Sequence, residues 1–150
     1  MLVGSMNLDR LIGLREDADL VQNEMGEILK VTQSNYSRWE TGKEIIPLKK
    51  LNMLCNYFNT SADYLMDLSK KPNKTDNIEL NSVEIGKRIK EIRKKNNLTQ
   101  VELSEILNTS QSTISAYESG ETLILTAFAL QICKKFNVSL DYLMGRIKND

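Results

Sequence analysis

The chain has 150 residues with 20 basic and 20 acidic side chains, 41% apolar residues and no histidine. That length allows one ordinary domain or two small ones. No apolar run of about 18 residues exists to span a membrane, and without histidine the commonest general base and metal ligand are missing, which speaks against hydrolytic and zinc chemistry.

The start, "MLVGSMNLDR", lacks the ordered charged, apolar and cleavage segments of a leader, so export is not expected and a cytoplasmic location is. "MLVGSM" fits a non-native prefix before a start at Met6 and is set aside from the fold. From Arg10 to Met66 the chain reads as five short helices. Gln22 opens the second, Thr32 caps the third through "QSNYSRWETG", Pro47 stands near the first turn of the fourth, and "SADYLM" ends the unit. Only seven glycines and two prolines occur in the whole chain, which disfavours many short strands and tight turns. "SKKPNKTDNIEL" follows, polar and charged with one proline, the composition of a linker.

The second half reads the same way. Asn81, with Glu84 three residues on, starts a helix whose Ile85, Ile89 and Ile92 make one apolar stripe. Lys87, Arg88, Lys90, Lys94 and Lys95 fall mostly off that stripe. Thr99 caps a second helix running to Leu107, with Leu103, Ile106 and Leu107 expected inward. Ser110 caps a third, Gly120 stops it, and helices around "TAFALQICKKF" and "SLDYLM" complete the plan.

The two halves are one text written twice. A shift of 78 positions sets Gln22 on Gln100, and the register holds without a gap from Arg10/Arg88 to Met66/Met144. "QSNYSRWETG" falls on "QSTISAYESG", and "FNTSADYLM" on "FNVSLDYLM". The chain is therefore two copies of a unit of about 60 residues. The expected fold is all-α, with tandem five-helix units at 7–68 and 81–146 joined by a polar linker at 69–80. Cys55 and Cys133 form no CxxC pair and are expected as buried thiols rather than a disulfide.

A short helix, a tight turn and a second polar helix make a helix-turn-helix. "LVQNEMGEILKVTQSNYSRWETG" and "LTQVELSEILNTSQSTISAYESG" resemble the Cro/lambda-repressor-like (Xre) family of DNA-binding domains, and the resemblance covers about four-fifths of the chain. It implies that the third helix of each copy lies in the major groove with its N-terminal residues toward base edges. Gln33 and Gln111 take the first position of that helix, where an amide matches adenine N6 and N7. By the same resemblance Gln22 and Gln100 touch a phosphate and brace the glutamine of the third helix. Ser34, Asn35 and Arg38 face the groove in the first copy; Ser112, Thr113 and Ala116 do so in the second. Ser37 and Ser115 either face phosphate or are merely small. Tyr36/Ile114 and Trp39/Tyr117 fall on the opposite face as core residues. Arg15/Glu40 and Arg93/Glu118 are implied as internal ion pairs from the first helix to the end of the third.

Charge argues for unequal copies. Lys30, Arg38 and Lys43 surround the reading helix of the first copy, while Asn108, Ala116 and Glu121 hold those places in the second. The first copy is expected as the better reader of double-stranded DNA. A repressor working as a homodimer or intramolecular pseudo-dimer follows, without cofactor, metal or small-molecule ligand. The alternative is an antitoxin or antirepressor whose second copy mainly contacts protein. There "TLILT" offers Leu123, Ile124 and Leu125 to a partner, unless these pack on the fourth helix as Ile45 and Ile46 do in the first. No Gly-rich phosphate loop or nucleophile–base arrangement suggests an enzyme. With only "GRIKND" after Met144, control is expected to come from the protein's own level, a partner or operator competition.

Overall fold

The computed structural model describes residues 8–149; the "MLVGSM" prefix and the expected first-unit start at residue 7 lie outside the described residues. Ten helices and no strand occur among the described residues. The chain divides into two compact units, one ending at Asn77 and the other beginning at Ile78.

In the first unit α1 (Asp9–Asp17), α2 (Gln22–Leu29), α3 (Gln33–Glu40), α4 (Leu48–Phe58) and α5 (Ala62–Leu65) enclose one core. Leu11, Met25, Leu29, Tyr36, Leu51, Leu54 and Leu65 are all buried in it. The second unit repeats the order as α6 (Ser82–Lys95), α7 (Gln100–Ile106), α8 (Gln111–Ser119), α9 (Thr126–Phe136) and α10 (Leu140–Met144). The stripe Ile85, Ile89 and Ile92 is buried there with Leu103, Leu107 and Ile114. Cys55 and Cys133 are both buried and are not joined in a disulfide.

Side-chain caps set the helix starts. The Thr32 hydroxyl accepts from the Asn35 amide, that of Thr99 from Glu102, that of Ser110 from Thr113, and the Asn81 side chain from Val83 and Glu84. Each satisfies donors that the helix itself leaves unpaired. Left-handed residues set the stops, and they repeat at the same 78-residue shift: Asp19/Asn97, Lys30/Asn108, Asn59/Asn137 and Asp67/Gly145. The repeat thus extends to backbone torsions.

One inward assignment is corrected. Leu103 and Leu107 are buried, but Ile106 is exposed. Buried Ser104 shows why: the inward face of α7 centres on 103, 104 and 107, and Ile106 lies about 100° off that centre at 3.6 residues per turn. The loop "TLILT" divides. Ile124 is buried as its counterpart Ile46 is, whereas Leu125 is exposed ahead of α9.

Close approach fixes how α6 meets α8. A Cβ on Gly86 would stand 2.4 Å from the Tyr117 carbonyl oxygen and 2.6 Å from that of Glu118. Beside it the Ser82 hydroxyl donates to the Gly120 carbonyl at 2.8 Å. The end of the third helix is thereby clamped to the start of the first. Arg10 and Arg88 do a second repeated task. Each guanidinium stacks on a tyrosine of the last helix, Tyr64 or Tyr142, and donates to that residue's carbonyl. Arg10 also donates to the Ser69 carbonyl, while the Asn73 amide donates to Ser61 and the Thr75 hydroxyl to the Thr60 carbonyl. The early part of segment 69–80 is therefore fastened to the first unit.

Candidate nucleic-acid interface

The turn between α2 and α3 packs closely on residue 26, a glycine. A Cβ there would meet the Val31 carbonyl oxygen at 2.8 Å, and the second unit carries the small, buried Ser104 at the matching place. With the turn closed, Tyr36, Trp39 and Glu40 anchor α3 inward. What remains outward is polar. Gln33, Ser34, Asn35 and Arg38 are exposed, Ser37 is half-buried, and Lys43 is exposed in the following loop. Gln33 and Ser34 sit in the first turn, where free backbone N–H groups and the helix dipole favour an anion. Lys30 is exposed at the end of α2.

In the second unit Gln111, Ser112 and Ser115 are exposed on α8, and Thr113 and Ala116 are half-buried. The Ser110 hydroxyl lies 3.0 Å from that of Ser112 and 2.9 Å from that of Thr113, so these hydroxyls already share a local network. Exposed Asn108 and Glu121 and half-buried Ala116 stand where the first unit has Lys30, Lys43 and Arg38.

Behind each outward face lies a buried polar knot. Arg15 Nε donates to Glu40 Oε2 at 2.6 Å, and Arg93 Nε to Glu118 Oε2 at 2.6 Å. Both arginines also donate to the carbonyl of the residue that ends their own turn, Leu20 or Leu98. These arginines tie the first helix to the third from inside. Burial works to raise the Glu40 carboxyl, but the hydrogen bonds from Arg15 and Gln22 outweigh it and hold the group below the usual range. The Arg15 guanidinium is pushed up, chiefly by its bond to Glu40. Burial pushes the Tyr36 phenol up as well, and the neighbouring Glu40 charge adds to the effect.

Gln22 and Gln100 belong to this knot. The Gln22 amide donates to Glu40 at 3.0 Å and that of Gln100 to Glu118 at 3.2 Å. Each bond uses an N–H of the amide and leaves its oxygen for other contacts. The amides are drawn to the buried carboxylates because these are charged acceptors, and charge-assisted bonds are the stronger ones.

Sequence reasoning missed Glu44. Its carboxylate pairs with Arg38 at 3.2 Å, both side chains about half exposed. The only signal was spacing, since the turn after α3 folds residue 44 back onto residue 38. Among the described residues no group of three or more His, Cys, Asp or Glu could hold a metal ion, and no helix is long and apolar enough to cross a membrane.

A profile of helix-turn-helix domains, HTH_3, matches residues 12–65 and again 89–143. The chain is 42% identical over 64 residues to the antitoxin PezA of Streptococcus pneumoniae, which covers 43% of this chain and 40% of PezA. It is 40% identical over 62 residues to the HTH-type transcriptional regulator ImmR of Bacillus subtilis, covering 41% and 49%. The chain thus spans half or less of the length of these two relatives. Among solved structures it is similar to the P22 c2 repressor in complex with a synthetic operator, at 32% identity and a TM-score of 0.40, over 42% of this chain and 96% of that one.

Proposed function

The chain belongs to the helix-turn-helix family HTH_3, Cro/lambda-repressor-like (Xre) domains present here as a tandem repeat, and from that premise we propose a sequence-specific regulator of transcription, a repressor, that reads double-stranded DNA in the major groove. The observation that carries this reading is the division of α3. Its inward side is fastened by Tyr36, Trp39 and the Arg15–Glu40 pair, and its outward side offers Gln33, Ser34, Asn35 and Arg38 between Lys30 and Lys43. Gln33 suits adenine by its paired donor and acceptor, and Arg38 suits guanine or phosphate. Lys30 and Lys43 supply phosphate neutralisation, with Ser37 small enough for close approach. Gln22 and Gln100, held by the buried carboxylates, keep the rest of their amide groups for a phosphate. On α8, Gln111, Ser112, Thr113, Ser115 and Ala116 form the weaker reader. The protein works in the cytoplasm.

A second reading keeps one specific observation in its favour. The α8 surroundings lack all three basic residues of α3, and one relative is named an antitoxin, so the second unit serves chiefly in protein contact. In vitro selection of bound duplexes, followed by titration against salt, separates the two. A repressor of the first kind enriches a defined sequence and shows a steep salt dependence. Arg38→Ala then costs about 1–3 kcal/mol on the selected site, and Lys43→Ala weakens binding evenly and reduces the salt slope by about one. Full affinity of Arg38→Ala for selected DNA removes the base-reading role.

A further inference from the structure

Resting on the DNA-reading role of α3, we infer that Glu44 is a specificity-determining residue that keeps Arg38 from making indiscriminate phosphate contacts. Arg38 Nη1 meets Glu44 Oε1 at 3.2 Å on the exposed flank of the reading helix. The pairing is built in by the backbone. The Glu44 amide donates to the Arg38 carbonyl at 3.2 Å, and the Thr41 hydroxyl donates to the same carbonyl at 3.3 Å. In the second unit the Thr122 amide donates to the Ala116 carbonyl at 3.3 Å, so the same turn exists there with neither charge. The turn therefore does not need the ion pair, and the carboxylate is present in the unit that carries the arginine and absent from the unit that lacks it.

A guanidinium has five donors, and this contact engages one edge of it. Arg38 can therefore stay on Glu44 while it offers its remaining donors to a base edge held at one position. On an unmatched duplex that base edge is missing, and the acceptor left to the guanidinium is a phosphate of the backbone. Taking Arg38 there means breaking the pair and bringing the Glu44 carboxylate toward another anion. The exposed pair is weak in itself, so its effect lies in the difference between matched and unmatched DNA.

The test uses the full chain, the duplex recovered by selection and a scrambled duplex of the same length and composition. Glu44→Gln is expected to tighten binding to the scrambled duplex by about three- to tenfold and to steepen its salt slope by about one, as a freed Arg38 adds one phosphate contact. Affinity for the selected duplex should change by less than about twofold. In an Arg38→Ala background the same substitution should move both duplexes equally. Equal tightening on both duplexes with Arg38 present reduces Glu44 to a general repelling charge and overturns the inference, as does an unchanged scrambled-duplex affinity. Failure of the DNA reading itself shows earlier and separately, as a wild-type chain that enriches no sequence.

Discussion

Glu40 sits at the junction of three helices and touches Arg15 and Gln22 at once. Its side chain is 4% exposed and its folded pKa lies below the ordinary value, so its ionised form favours the fold. The stability it contributes is present above the unfolded pKa of about 4.3 and is lost as pH falls through the lower folded value. Glu40→Gln should leave Arg15 without its charge partner and cost about 3 kcal/mol at pH 7. The variant should also lose this part of the acid destabilisation below about pH 4.3. Trp39 is the chain's one tryptophan and is buried beside the knot, so its fluorescence in denaturant reports the first unit alone. An equally steep acid slope in the variant would refute the assignment. Lys30 makes the opposite case. It holds a left-handed φ of 60° where the second unit has Asn108. Lys30→Asn should stabilise the first unit by about 0.5–1 kcal/mol by the same fluorescence measurement, because a short polar side chain tolerates that torsion better. On the proposed DNA reading, the same variant should also bind DNA less tightly, for want of one cation near the phosphates.

Elements in this fold are held by close backbone approach as much as by apolar stripes. The contact of α6 with α8 runs through Gly86, and any Cβ there collides with two carbonyl oxygens of the third helix. Gly86→Ala should therefore cost about 1–3 kcal/mol in the second unit. Amide exchange should quicken across α6 and α8 while Trp39 keeps its wild-type unfolding curve; unchanged protection of Ile89 and Ile92 would show that the helices absorb the shift. Caps, stripes and stops were legible in the sequence because each depends on neighbours a few residues away. Thr32, Thr99, Ser110, Gly120 and the Ile85–Ile89–Ile92 stripe all belong to that class. Tertiary contacts were not legible. Arg146, in a tail that reads as polar, is fully buried against Asp141 at 3.4 Å. Gln22 turns to Glu40, eighteen residues away in sequence, and Arg38 to Glu44 around a turn. In each case a charged group finds its partner through the fold, and no local periodicity records that. Arg15/Glu40 and Arg93/Glu118 were legible only through the family resemblance, and both occur as expected.

At the scale of the whole chain, the repeat has kept its scaffold and let its surface diverge. Left-handed stops, internal arginines and caps recur at the 78-residue shift, while Lys30, Arg38 and Lys43 are replaced by Asn108, Ala116 and Glu121. On the proposed DNA reading the two units are covalently joined readers, so once the first has bound, the second meets DNA at an effective concentration of roughly millimolar. A weak second reader would then still add to the total, and we propose that one chain acts as its own dimer on two half-sites about 34 Å apart. The expected operator is an imperfect palindrome, better specified on the half that Gln33 and Arg38 read. Gln33→Ala should cost about 1–3 kcal/mol on that operator, and Gln111→Ala less than about 1 kcal/mol. Footprinting combined with sedimentation of the complex tests this directly. One chain per operator with unequal protection of the halves is the expected result. Two chains on a perfect palindrome, with Gln111→Ala silent, would mean that the first units pair between chains and that the second unit has left DNA for a protein partner.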